Sequence, residues 1–359
     1  MAMERYIPTD TLVEILLRLP PSSLRRARLV CRRWRDVVNK HTTEMQSRPR
    51  PLIWSGHVAY VVGDLSPEST GSLEELWRTS RLRPDDWYPQ LVGTCNGLLC
   101  LCDNEKQSGG SLTVVNPATG ETLPVPPLPC GDPGRSLGWH AAYNFAYHPT
   151  TGKYKVVHVP CSYNRCYDFE TLQLLTLGET TWRDVSPPAA GARCRLSAGI
   201  VSIDGVTHWV KVGGDTRIVS FDLDAECFAS TAMSLPRLSA KHGAYNLTEV
   251  HGRLGFVSLP DVWVLEQGRQ SWSHRYKLQE GIPCPHFVYG DCVLIRRDKL
   301  GFYGHWPKSS PSLLWGGVIH IGHKDHGTLV ATMPTGGYYL TFAYVHTIEP
   351  LNAYMPPIN

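Results

Sequence analysis

Near the start of the chain the apolar residues recur at three- and four-residue steps, a spacing that predicts helices. The first helix is marked by a stripe of aliphatic residues: Leu12, Val13, Ile15, Leu16 and Leu19. Thr11 and Glu14 have the spacing of a capping box, although Pro8-Thr9-Asp10 is equally suited to open the first turn. Pro20-Pro21 ends that helix, and Ser22 is a natural N-cap for a second one. The second apolar stripe consists of Leu24, Ala27, Cys31, Trp34 and Val38, widened by Val30 and Val37.

Beyond Leu52 the pattern changes to short apolar or alternating runs bounded by turn residues, which predict strands. The runs are 97–102, 111–116, 154–159, 172–177, 199–203, 206–212, 217–223, 253–259, 262–266, 292–297, 317–322, 328–333 and 338–345. One exception, Ser72 to Trp77, has helical spacing and predicts one or two helical turns within a loop. No crossover helices fit between the runs, so the pattern predicts a stack of sandwiches or a propeller.

Two pairs of similar sequence segments favour the propeller. NPATG (116–120) and HPTTG (148–152) share a turn in which Pro presets φ and Gly supplies a positive φ. LGETTWRDV (177–185) and LEQGRQSWSHR (265–275) both contain a strand, a polar turn and a Trp that we expect to pack between blades. At about 40–50 residues per blade, the chain holds six or seven blades. We expect closure by pairing of the strand near Pro51–Ser55 with the run at 338–345.

Composition agrees with a mainly β fold that carries a small α-helical N-terminal module. The 359 residues are 42% hydrophobic and include 28 Pro and 32 Gly, which suits a chain with many tight turns. Two prolines in QSRPRPL mark a linker. The predicted domains are therefore a helical domain at 1–45, a linker at 46–51 and a β-propeller at 52–359.

Charge separates the two parts of the chain. From Arg18 to Lys40 there are eight Lys or Arg and one acid, whereas the remainder holds 27 basic and 31 acidic residues. A helical segment this short buries its apolar surface poorly by itself. We therefore expect either a partner protein on its surface or packing against the later part of the same chain. An Arg-rich helix also leaves open a nucleic-acid-associated regulator, although no second basic element follows.

The N-terminal segment resembles an F-box. The matching elements are Ile7-Pro8, Glu14-Ile15-Leu16, Arg18-Leu19-Pro20, Ser23-Leu24, Arg28, Val30-Cys31 and Trp34-Arg35. The resemblance implies docking on an acidic Skp-family adaptor and, through it, on a cullin within a ubiquitin ligase. The residues expected at the adaptor are Ile7, Pro8, Leu12, Ile15, Leu16, Leu19, Pro20, Leu24, Val30, Cys31 and Trp34.

The second part resembles the plant F-box-associated, Kelch-like β-propeller. The resemblance rests on segments 95–101, 114–121, 147–157, 182–184, 202–209, 218–228, 247–257 and 262–266, in the order that is usual for that family. It implies capture of a target protein for ubiquitination, without catalysis by this chain. Four tryptophans in strand patterns are expected in the blade core: Trp182, Trp209, Trp263 and Trp272. Four in turn-rich stretches are candidates for target contact: Trp87, Trp139, Trp306 and Trp315.

Other chemistry has little support in the sequence. No P-loop or G-x-S-x-G motif occurs, so we expect no enzyme, and a carbohydrate-binding, lectin-like propeller is the main alternative. Cys100 and Cys102 lie on one face of a strand, and no second pair of cysteines at zinc-binding spacing accompanies them. His320, His323 and His326 lie on a Gly-bearing hairpin that is more typical of a polar turn. We therefore expect no metal or cofactor. No apolar run reaches the roughly 20 residues of a membrane helix. Because the start of the chain lacks the apolar stretch of a secretory signal, we expect a cytoplasmic or nuclear protein with reduced thiols.

Overall fold

The short apolar runs fold as mainly antiparallel sheets that form the six blades of a β-propeller. The computed structural model describes residues 7–19, 27, 30–31, 33–34, 37–38, 49–63, 72–79, 88–105, 109–129, 138–148, 151–159, 168–169, 171–186, 192–212, 216–229, 233–236, 245–266, 271–278, 286–289, 292–296, 301–305, 319–321, 328–333 and 339–355. All thirteen predicted runs overlap strands, and the predicted six or seven blades resolve to six.

Each blade contains four principal strands, and four further strands extend two of the blades, so that 28 strands are numbered here in chain order among the described residues. The strands are β1 (Arg50–Trp54), β2 (Val58–Val62), β3 (Leu73–Arg78), β4 (Gln90–Cys95), β5 (Leu98–Asp103), β6 (Ser111–Val115), β7 (Thr122–Pro124), β8 (Tyr143–His148), β9 (Lys153–His158), β10 (Asp168–Phe169), β11 (Leu172–Thr176), β12 (Arg183–Val185), β13 (Ala192–Cys194), β14 (Ile200–Ile203), β15 (Val206–Val212), β16 (Arg217–Asp222), β17 (Cys227–Phe228), β18 (Met233–Ser234), β19 (Tyr245–Val250), β20 (Arg253–Ser258), β21 (Asp261–Leu265), β22 (Trp272–Leu278), β23 (His286–Tyr289), β24 (Cys292–Arg296), β25 (Gly301–His305), β26 (Ile319–Ile321), β27 (Thr328–Thr332) and β28 (Leu340–Tyr344). Short 3₁₀ helices span Trp139–Ala142, Leu196–Ala198 and Leu351–Tyr354.

The blades close into a ring through the first and last strands of the propeller. The inner strands β28, β4, β8, β14, β19 and β23 are neighbours in that order, and β23 adjoins β28 again. Strand β28 is the inner strand of the first blade and pairs antiparallel with β1, which is followed outward by β2 and β3. Arg50 lies opposite Tyr344, and Trp54 lies opposite Leu340. The predicted closure is therefore confirmed: pairing with β28 covers one edge of β1, and β28 itself is the inner edge strand of the blade.

The apolar cores lie between blades, which explains the continuous apolar runs. Along β5, Leu98, Cys100 and Cys102 face the third blade, whereas Leu99 and Leu101 face the first. Because successive side chains of a strand point to opposite faces, a strand buried on both sides needs apolar residues at every position. Six such clusters among the described residues join the blades pairwise around the ring.

Two predictions about element boundaries were wrong. Residues Leu73–Arg78 form strand β3 instead of helical turns. A bulge in its pairing with β2 leaves Leu76 between the paired residues Glu75 and Trp77, so the apolar positions fall three and four apart as they do in a helix. Strand β1 begins at Arg50, inside the predicted linker at 46–51, because Arg50 and Pro51 already pair with β28.

The two pairs of similar sequence segments make equivalent contacts in the structure. In the two predicted turns, the amide of Gly120 donates to the Asn116 carbonyl at 2.9 Å, and the amide of Gly152 donates to the His148 carbonyl at 2.8 Å. Of the four strand-pattern tryptophans, Trp209 is confirmed as blade core because it is fully buried, whereas Trp182, Trp263 and Trp272 are half-buried and pack against buried clusters. Trp182 Nε1 donates to the Pro126 carbonyl and Trp272 Nε1 to the Ser234 carbonyl, each on the preceding blade.

Residues 345–355, here called the C-terminal strap, continue from β28 across the ends of the second and third blades. Asn116 Nδ2 donates to the Glu349 carbonyl at 2.8 Å, and the amide of Leu351 donates to Glu121 Oε2 at 3.0 Å. Leu351 and Tyr354 join the core between those blades. The strap therefore reinforces the ring close to the point at which it closes.

The N-terminal module contains helix α1 (Thr9–Leu17), and residues 27, 30, 33–34 and 37–38 also have helical backbone. Helix α1 begins at Thr9, so Pro8-Thr9-Asp10 opens it, and the alternative capping box at Thr11 and Glu14 was wrong because both residues lie inside the helix. Pro8 occupies the N-cap position and provides no side-chain hydrogen bond to the helix.

Candidate functional site

Helix α1 has two faces of different character. Leu12 and Leu16, one turn apart, are 0% and 1% exposed, and they form a buried cluster with Ala27, Val37 and Val38. Pro8 and Ile15 lie beside this buried stripe, about 60–80° around the helix axis, on a face where Ile15 is 43% exposed. Since Pro8 and Ile15 are seven positions apart, they share a face of the helix at a separation of about 10 Å along its axis.

Apart from the buried Leu12 and Leu16, the residues expected at an adaptor divide into three groups. Pro8, Ile15, Val30 and Cys31 are exposed, and we call them the exposed set. Ile7, Leu19 and Trp34 are half-buried against the cluster of Leu12 and Leu16. Pro20 and Leu24 lie outside the described residues.

Burial corrects the role expected of Leu12 and Leu16. Both side chains point into the module, so they hold its helices together and present no surface to another molecule. Contact between the exposed set and an adaptor stays a prediction. Contact between the half-buried residues and an adaptor also stays a prediction.

The cluster around Leu12 is formed by residues of the helical module. Its described members all lie between Ile7 and Val38, and none comes from a strand of the propeller. The apolar surface of Val30, which is 62% exposed, is also left uncovered. Of the two expectations for the apolar helical surface, a partner or the later chain, this packing favours a partner.

The propeller has two faces that the chain connectivity distinguishes. The linker face is where β1 begins at Arg50 and β28 ends at Tyr344. It also holds the Asn96–Gly97 turn, since a Cβ on Gly97 would meet Val345 and Thr347 of the C-terminal strap. The inner strands begin on the opposite face, which we call the far face. The helical module thus joins the propeller on the linker face.

Trp139 is the described member of the four tryptophans expected at a target; Trp87, Trp306 and Trp315 lie outside the described residues. It lies on the far face, in the 3₁₀ helix that leads into β8, and is half-buried against the core of the second and third blades. The amide of the adjacent His140 donates to Asn104 Oδ1 at 3.0 Å, and burial lowers the pKa of His140. One edge of the indole is therefore fixed by packing while part of it remains accessible.

Two thiols of the described blades are buried and contribute to packing of the core. Cys100 and Cys102 share one buried cluster, and burial raises the pKa of Cys102 to about 12. In the part of the chain that the structure describes, no group of three or more His, Cys, Asp or Glu is placed to hold a metal ion. Within the same residues, no helix has both the length and the apolar character needed to cross a membrane.

Comparison with known proteins agrees with this architecture. The F-box associated beta propeller domain matches residues 65–285, more than half of the chain, and an F-box-like domain matches residues 5–43. The chain belongs to the F-box associated beta propeller family. Both resemblances noted in the sequence are thereby confirmed.

Curated relatives of this F-box associated propeller protein come from Arabidopsis thaliana. An F-box/kelch-repeat protein is 26% identical over 76% of this chain and 65% of its own length, so this chain spans just under two thirds of that relative. Two F-box proteins are 27% and 28% identical, over 77% and 76% of this chain and 73% and 71% of their own lengths. A solved structure described as "Structure of YjhT" has a TM-score of 0.45 at 12% identity, over 72% of this chain and 89% of its own, which is too distant a likeness to inform function.

One residue of this site was missed by sequence reasoning. Arg33 entered only as part of the basic charge of the second helix, but its guanidinium reaches across to the start of α1. The helical spacing also contained the division of α1 into two faces, because Leu12 and Leu16 are four apart whereas Pro8 and Ile15 are seven apart.

Proposed function

We propose that this protein is the substrate-recognition subunit of a Skp–cullin–F-box ubiquitin ligase. Its helical module binds a Skp-family adaptor, and its propeller captures a target protein for ubiquitination by the other subunits. The observation that carries the proposal is a helical module with a core of its own that leaves Ile15 and Val30 exposed, at the start of a closed propeller. The F-box-like match over residues 5–43 supports the choice of adaptor.

The mechanism is proximity. A target held on the propeller is brought close to the charged conjugating enzyme, so its effective concentration there rises without any catalytic group in this chain. The basic balance between Arg18 and Lys40 suits an acidic adaptor and accelerates encounter more than it adds affinity.

Adaptor binding is tested by changing the exposed residues instead of the buried ones. The double variant Ile15→Asp/Val30→Asp is expected to bind a purified Skp-family adaptor at least tenfold more weakly in calorimetry. Each aliphatic side chain contributes about 1.5–3 kcal/mol when it is removed from water, and tenfold corresponds to about 1.4 kcal/mol. Ile348→Asp is the matched control, because Ile348 is 53% exposed on the C-terminal strap. Equal affinity of the double variant and the control would remove the docking proposal.

Target capture is tested on the far face. Trp139→Ala is expected to reduce ubiquitination of a target in a reconstituted ligase while leaving adaptor affinity unchanged. Aromatic side chains that are held by packing and partly accessible are typical anchors of protein interfaces. Unchanged ubiquitination of the target would exclude Trp139 from its recognition.

A further inference from the structure

The start of helix α1 is held by a side chain from the second helical segment. Arg33 Nη2 donates to the carbonyl oxygen of Ile7 at 2.5 Å and to Thr9 Oγ1 at 3.2 Å. Ile7 and Thr9 flank Pro8, the N-cap residue, which lacks a side-chain hydrogen bond to the helix. A nine-residue helix is too short to be stable by itself, so its first turn depends on contacts of this kind.

The helix dipole does not favour an arginine at this position. The N-terminus of a helix carries partial positive charge, which disfavours a nearby cation and favours acids such as Asp10 in the first turn. The guanidinium does explain the placement, because Nη2 lies at the end of a long side chain and carries two N–H donors, which can bond a carbonyl and a hydroxyl at once. The carbonyl of Ile7 precedes the helix, so Arg33 takes an acceptor that the helix itself does not need.

The bridge fixes the segment that carries an exposed residue expected at the adaptor. Pro8 lies between the two residues that Arg33 holds, and it shares a face of α1 with the exposed Ile15. Movement of the first turn would displace Pro8 relative to Ile15, and the ordering of that turn would then be an added cost of binding.

We propose that Arg33 is a positioning residue for adaptor docking. It acts through Ile7 and Thr9, by holding Pro8 in register with Ile15, and it does not act as a charge that attracts the adaptor. This inference rests on the proposed function, because it concerns the same docking surface.

The test is the dissociation constant of the full chain for a purified Skp-family adaptor, measured at low and high salt. Arg33→Met keeps the aliphatic stem and removes the donors, and is expected to weaken binding at least fivefold at both salt concentrations. Arg33→Lys keeps the charge, but its nitrogen lies one bond nearer the backbone than Nη2 and does not reach both acceptors, so binding is expected to be weakened nearly as much. Arg78→Met removes a charge from an exposed, ion-paired side chain on propeller strand β3 and is the matched control, with less than twofold loss.

Thr9→Ala provides a second route to the same conclusion without removing the arginine. It breaks one of the two bonds, and its effect is expected to disappear in the Arg33→Met background, since the two residues act as one unit. Hydrogen exchange of free Arg33→Met is expected to accelerate in the first turn, where the Leu12 amide bonds the Pro8 carbonyl, and to leave the later part of α1 protected.

Three results would overturn the inference: wild-type affinity of Arg33→Met, full recovery by Arg33→Lys, or loss of protection along the whole of α1. Recovery by lysine with a loss that vanishes at high salt would identify Arg33 as an attracting charge. Loss of protection throughout α1 would make Arg33 a general stabiliser of the helix. If the wild-type protein itself does not bind the adaptor, the proposed function fails. That result is distinguishable from failure of the inference about Arg33, which is read from the variants relative to a wild-type protein that binds.

Discussion

Replacement of Gly97 by alanine tests how much the C-terminal strap contributes to closure of the propeller. Gly97 has φ +82° in the two-residue turn between β4 and β5. A Cβ added there would lie 2.7 Å from Thr347 Cγ2 and still closer to the Val345 carbonyl oxygen, both in the strap. Gly120 is the matched control, because it has φ +74° and open space around an added Cβ.

The two variants share one cost and differ in another. An L-residue in the left-handed region costs about 1–2 kcal/mol, and both variants incur this. Forcing an extra methyl group into a packed site adds about 1–3 kcal/mol, which applies to Gly97→Ala alone. The free energy of unfolding, measured by urea titration of tryptophan fluorescence, is therefore expected to be lower in Gly97→Ala than in Gly120→Ala by about 1–3 kcal/mol.

The comparison also tests the assigned partner of Gly97. A chain that ends before residue 345 removes the atoms that the new methyl group would meet. In that truncated background Gly97→Ala and Gly120→Ala are expected to be equally destabilised. A persistent difference there, or none in the full chain, would refute the contact between this turn and the strap.

Three further predictions concern contacts in and between the blades, each measured as the free energy of unfolding. Trp272→Phe removes the indole hydrogen bond to the preceding blade and is expected to cost about 1 kcal/mol; wild-type stability of this variant would contradict the contribution of that bond. Glu226→Gln leaves the buried Lys155 ammonium without its carboxylate at 2.8 Å and is expected to cost about 3–5 kcal/mol, against less than about 1 kcal/mol for the exposed Glu179→Gln. Burial lowers the pKa of His158 to about 4, so the unfolded chain binds the proton more readily. Stability is then complete above about pH 6.5 and falls as the pH is lowered towards 4, and His158→Gln is expected to flatten that fall.

The strands and their closure could be predicted because each blade is buried on both sides. Burial on two faces demands apolar residues at nearly every position, and that signal is local, as along Leu98–Cys102. The shortest strands, such as β10 (Asp168–Phe169), lack such a run and depend on a partner distant in sequence. Strand β3 was mistaken for helix because its bulge at Leu76 shifts the alternation, and only the pairing with β2 reveals the bulge.

The docking surface could be predicted only in part. The resemblance to an F-box selected residues by position and did not separate those that face the module's own core from those that face outward. Leu12 and Leu16 belong to the first group and Ile15 and Val30 to the second. The bridge from Arg33 to Ile7 joins segments that the pattern treats as independent helices, so it required their relative placement.

Hydrogen–deuterium exchange of the full chain, with and without a purified Skp-family adaptor, tests the central claim most directly. The account predicts that the adaptor slows exchange in peptides that contain Pro8, Ile15 and Val30, and leaves the strands of the propeller unchanged. Slowed exchange on the blades with no change between residues 8 and 31 would contradict it.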